Sequence, residues 1–173
     1  MMRTHDNTPA NGPKARIGRF VQDEDGVALV EFAIVLPMML LVFAVIIEGS
    51  RLMLGFQNAI GGVRDATRYM SRIVALDICS TGGSVAGYAA QLQTIVSQRI
   101  TGQSVFPAGI TVNSVTPSYS CVVGTYRVSP APVVQVSAQI TVTYPFAGIF
   151  ALVGSTLPNV TTTVTDRSRI FGS

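Results

Sequence analysis

The stretch that decides the fold is Val27 to Ile47, VALVEFAIVLPMMLLVFAVII, preceded by Asp23-Glu24-Asp25-Gly26 and followed by Glu48-Gly-Ser-Arg51. It holds 21 residues with a single charge, Glu31. At 1.5 Å per residue it spans about 30 Å, the thickness of a bilayer core, so it reads as one membrane-crossing helix. Two other readings exist for such a run. A cleaved secretory signal fits poorly, because the preceding leader is long and contains acids, the apolar run exceeds a usual signal core, and no small-x-small site follows at Val45 to Ser50. A buried core helix needs enough protein to cover it on all sides, which a 173-residue chain can hardly supply.

Working outward, residues 1–26 carry four cations (Arg3, Lys14, Arg16, Arg19) against four acids (Asp6, Asp23, Glu24, Asp25), with Pro9, Gly12 and Pro13 among them. With no apolar period, this is expected to be a disordered leader. After the span, Leu52, Phe56, Ala59, Val63, Ala66, Met70 and Ile73 recur at steps of 4 and 3, one stripe on a helix. The helix should therefore continue unbroken to about Leu76, about 75 Å if straight. Pro37 cannot donate to the carbonyl of Ala33 and is expected to kink the membrane half. Gly61 and Gly62 are a second weak point, each costing about 1 kcal/mol relative to Ala.

Beyond a turn at Thr81-Gly82-Gly83, Val85 to Ile100 reads as a shorter amphipathic helix through Tyr88, Leu92, Ile95, Val96 and Arg99. Past Gly102 the composition turns to Val, Thr, Ser and Pro, which favours strands and turns. Val134, Val136, Ala138, Ile140, Val142 and Tyr144 alternate with Gln135, Ser137, Gln139, Thr141 and Thr143, a strand with one wet face and hence antiparallel pairing. Val160 to Ile170 is another strand, with Thr161, Thr163, Thr165, Arg167 and Arg169 toward water; Ile110–Thr116 and Cys121–Val128 are two weaker candidates. The apolar PFAGIFALVG run after Thr143 is expected to pack as a lid or touch lipid. The fold class is α+β: a long N-terminal transmembrane helix, then a small domain with a second helix and an antiparallel sheet. The expected divisions are leader 1–26, span 27–47, helix extension 48–76 and extracytoplasmic domain 77–173.

Composition limits the chemistry. Charged residues make up 12% of the chain, against roughly 25% in ordinary soluble proteins. Mean hydropathy is +0.45. The only His is His5 and the only Lys is Lys14, so everything after Gly26 lacks the usual general base and Schiff-base former. No enzyme is expected, and neither a metal site nor a cofactor. A formal charge of +3 without a basic cluster gives no reason to expect nucleic acid. Cys79 and Cys121 are the only cysteines. If the domain lies outside the cytoplasm they should be joined, closing a loop worth about 4 kcal/mol in the chain-entropy model; two buried thiols are the alternative.

Glu31 stands out, because a carboxylate within a span costs at least ~2.5 kcal/mol near the centre, less toward the end, and such residues usually serve function. A glutamate reaching back to the interface is the plainer reading. Its company is informative: Gly26 lies just before the apolar run, Glu31 five residues on, and Phe32 next. That order resembles the cleavage site of type IV prepilins. Within them the chain is most similar to the TadE-like proteins of the Tad (Flp) pilus system, through VALVEFAIVLPMMLLVFAVIIEGSRLML, VRDATRYMSR and, more weakly, the strand ending TVTYPF. Glu31, Phe32 and Pro37 match the family's EFA-x-x-LP start, Glu48 and Arg51 its E-x-x-R pair, and Arg64, Ala66 and Arg68 its Arg-rich helical segment. Thr67 stands where the family commonly has Gly.

The resemblance implies removal of the leader between Gly26 and Val27 by a prepilin peptidase, with Glu31 and Phe32 serving recognition and assembly. It implies a minor pilin or pseudopilin that packs by its helix stripe against the major pilin and other minor pilins, with no small-molecule substrate. The implied place is the bacterial inner membrane, in contact with membrane lipid, amino terminus cytoplasmic and domain periplasmic, with entry into an extracellular pilus. The positive-inside bias is slight, since Arg51 and Arg64 follow the span; the leader and the cysteines give the orientation. Glu48 and Arg51 are expected as an interfacial pair where the helix leaves the bilayer. Arg64, Arg68 and Arg72, spaced by four, are either a solvated stripe or a contact for anionic lipid or an acidic partner. The competing class is a membrane-anchored binding or accessory domain that never enters a fibre.

Overall fold

The computed structural model of the chain describes residues 24–148, 154 and 159–172. The leader's residues 1–23, and residues 149–153 in the apolar run after Thr143, lie outside them. Helix α1 covers Glu24–Ile73, and the helical assignment continues through Pro37 and through Gly61-Gly62. A short α2 follows at Ile78–Thr81, closed by Gly82 in the left-handed conformation (φ 71°), whose N–H donates to the Ile78 carbonyl. A 3-10 turn at Ala86–Tyr88 leads into α3, Ala89–Ser97. Among the described residues three strands follow: β1 Ile110–Val122, β2 Ala131–Thr143 and β3 Asn159–Arg169, in one antiparallel sheet with β2 central. The class is α+β, a long apolar helix followed by a small domain with a further helix and the sheet.

The chain divides into two compact units, one ending at Phe43 and the other running from Ala44. In the first, the described side chains of residues 26–43 are exposed, Leu41 alone being intermediate. Only 6% of the apolar window is buried, so this is not the core helix of a soluble protein. Large apolar side chains left in water each forgo about 1.5–3 kcal/mol of burial, so an exposed run of this length fits a single-pass membrane protein.

The second unit is built on the other half of α1. Val63, Ala66 and Met70 are fully buried and join Leu92 and Val96 of α3 with Val134, Val136 and Ala138 of β2 in the main core. A smaller cluster gathers Ala59, Phe106, Ile110, Ile140 and Val142. Gly62, which looked like a weak point of the helix, has a packing reason: a Cβ there would come within 2.8 Å of the Val96 carbonyl, so the glycine lets α3 cross close to α1. Buried Thr67 and Ser71 donate their hydroxyls to carbonyls of their own helix, Val63 and Arg68. The chain end returns to α1: Phe171 N–H donates to the Ser71 carbonyl at 2.9 Å, and Ile170 is sealed beneath.

Three expectations need correction. The second helix is shorter than Val85 to Ile100: Gln98 is already extended and bridges Ser104, and Ile100 stands fully in solvent. The candidates Ile110–Thr116 and Cys121–Val128 are not two strands. One strand, β1, runs from Ile110 to Val122. Its alternation is interrupted by a bulge at Asn113, which shifts the inward set from Ile110 and Val112 to Val115 and Pro117. Pro117 is tolerated because β1 is an edge strand. Finally, the stripe assigned to packing against other pilins is filled by the protein's own domain: Ala59, Val63, Ala66 and Met70 have no exposure left to offer.

Candidate functional site

The features singled out in the sequence fall in three places along α1. The first is the start of the apolar run. Gly26 lies in the helix, and a Cβ there would meet nothing within 4 Å. Glu31 and Phe32 are exposed, and among the described residues no cation lies within ion-pair distance of the Glu31 carboxylate. An ionised acid on a helix otherwise surrounded by lipid needs a counter-charge, and the described part of this chain does not provide one.

The second place is Glu48 and Arg51. They lie 3.9 Å apart, yet they are more than a surface pair. Glu48 is only 5% exposed, and its Oε1 accepts the N–H of Phe146 at 2.9 Å. The Arg51 guanidinium donates to the Ala108 carbonyl. Two turns further on, Asn58 Nδ2 donates to the Val105 carbonyl at 2.5 Å, and Thr143 N–H meets the Gly109 carbonyl at 2.7 Å. These bonds fasten the loop before β1 and the end of β2 to the helix within one to three turns of the apolar span's last residue. The spacing of Glu48 and Arg51 was legible in sequence. Their reach to Phe146 and Ala108, 98 and 57 residues away, was not.

The third place is the solvent side of α1. Arg64, Arg68 and Arg72 are all exposed, and Asp65 lies 3.9 Å from Arg68 with both side chains about two-thirds in water. Such an exposed pair is worth little. On the same side, earlier in the helix, stand Met53, Leu54 and Ile60, 61%, 52% and 45% exposed. Sequence reading passed them over in favour of the stripe that became the core. Their signal was present as a second apolar period, Ile46, Met53 and Ile60, at steps of seven.

Cys79 in α2 and Cys121 near the end of β1 form a disulfide, with Cα atoms 5.8 Å apart. It ties the segment that follows the long helix to an edge strand. No group of three His, Cys, Asp or Glu suited to a metal ion occurs among the described residues.

A family model described as TadE-like protein matches residues 26–68. The match begins at Gly26 and takes in Glu31, Phe32, Pro37, Glu48, Arg51, Arg64 and Arg68, the residues on which the resemblance was read; it includes none of the sheet. Over that stretch the chain is similar to the TadE-like family. No curated protein and no solved structure matches the chain.

Proposed function

We propose that this TadE-like chain is a structural protein of a Tad-type pilus and secretion machine, a minor pilin or pseudopilin cut after Gly26 and assembled through its N-terminal helix. The observation that carries this reading is the exposed apolar helix bearing a carboxylate, Glu31, five residues after Gly26 and with no ion-pair partner among the described residues. Hydrolysis of the Gly26–Val27 bond leaves an ammonium on Val27, four residues before Glu31 and therefore on the same helical face. That ammonium supplies the counter-charge, from the same chain or from a neighbour. Gly26 suits the scissile position for a second reason. A peptidase needs extended backbone, and glycine in the first turn costs the helix least to unwind.

The expected outcomes are distinct for the two residues. Gly26→Val should block processing, so that mass spectrometry finds the leader still attached. Glu31→Ala should be processed to a chain beginning at Val27 but should fail to assemble. Normal pili from the Glu31 variant would remove the assembly role, and a native chain with an intact leader would leave a tethered accessory domain instead. The domain's lack of His and Lys supports a structural role over a catalytic one.

A further inference from the structure

From Ala44 to Ile73, α1 has two opposed faces. One is spent on the domain: Ala44, Glu48, Ala59, Val63, Ala66 and Met70 are buried. The other carries the half-exposed apolar group Met53, Leu54 and Ile60, and then Arg64, Arg68 and Arg72 at helical spacing. At 100° per residue these six fall within one arc centred opposite the buried set. Only one acid, Asp65, accompanies the three arginines on that side.

The charge pattern restricts what can lie there. Two copies inserted in the same membrane run parallel, so side-by-side packing at 8–10 Å sets arginine row against arginine row. Sliding one copy along the other brings up only Asp65, which lies 3.9 Å from Arg68 of its own chain, because Glu48 is buried in the domain and Glu24, Asp25 and Glu31 lie at or before the start of the apolar span. Lipid headgroups are also a poor occupant. Arg64 lies 17 residues past Ile47, about 25 Å along the helix, beyond two Debye lengths at physiological salt. What remains is a protein surface of opposite sign with an apolar stripe beside it.

We propose that the face from Met53 to Arg72 docks a helix of a different chain, one presenting apolar residues to Met53, Leu54 and Ile60 and carboxylates to Arg64, Arg68 and Arg72. The arginine row bars a second copy of this chain from the same place. On the pilin reading, which this inference extends, the protein enters its assembly among unlike neighbours and does not polymerise with itself along this face.

The test uses the full chain in detergent micelles, with Ile60→Cys as a cross-linking point on differently tagged copies. A copy also bearing R64E, R68E and R72E serves as the acidic partner. Mixed native and charge-reversed copies should give about tenfold more cross-link than native copies alone, and the excess should vanish in ~0.5 M salt. Because all three arginines are exposed, these changes leave the core untouched. The neutral triple variant R64Q, R68Q and R72Q should raise self-cross-linking above native by removing repulsion alone. Equal yields from native and mixed pairs, or no salt dependence, would overturn the proposal. Its failure is separate from that of the pilin reading, which is decided by whether the mature chain begins at Val27.

Discussion

Before Phe43, α1 turns apolar side chains in every direction; from Ala44 it sorts them, with Val63, Ala66 and Met70 inside and Met53, Arg64 and Arg68 outside. The same secondary structure is thus stabilised in two ways. The first half needs a solvent without competing hydrogen-bond partners, and any apolar residue serves equally well there. The second half needs particular shapes at particular positions, because it meets a sheet and a crossing helix at packing density. Apolar composition places a helix in a membrane, whereas apolar period places it in a core.

That contrast can be broken experimentally. The largest effect should come from the domain's covalent tie: replacing Cys79 and Cys121 by Ser should cost about 4 kcal/mol in the chain-entropy model, read as a lower urea midpoint for the domain under oxidising conditions. Next, Met70→Ala removes a fully buried side chain from the main core and should cost about 2–5 kcal/mol, while Met39→Ala, in the exposed apolar half, should leave the same midpoint unchanged. If both methionines mattered equally to the domain, the division of α1 into two halves would be wrong. A smaller loss of about 1–3 kcal/mol is expected for Glu48→Ala, which leaves the Phe146 amide and the Arg51 guanidinium without their carboxylate. Hydrogen exchange at Phe146 should accelerate in that variant, with the centre of β2 unaffected.

Much of this architecture was readable because it rests on periodicity. The continuous α1, the alternation of β2 and the wet face of β3 follow from repeats of 3.6 and 2 that no tertiary contact disturbs. What was missed depends on exceptions to those repeats. The bulge at Asn113 flips the parity of β1, so its inward residues form no simple alternating set, and the strand runs on past Thr116 through Pro117, which an edge position accepts. The apolar stripe of α1 was legible as a stripe, but its partner was not, since a sequence does not say whether such a face meets its own chain or another. Glu48 posed the same difficulty: an acid just after a membrane span looks like an interfacial anchor until its long-range partner, the Phe146 amide, is known.

The Glu48 contact also has a mechanical meaning. The first turn after the apolar span is bolted to the end of β2 through Phe146, and the next turns to the loop before β1 through Arg51 and Asn58. Within the domain, load on this part of the helix is therefore shared with the loop before β1 and the end of β2 through three separate side-chain contacts. Loss of any one of them would leave the other two to hold the helix against the domain.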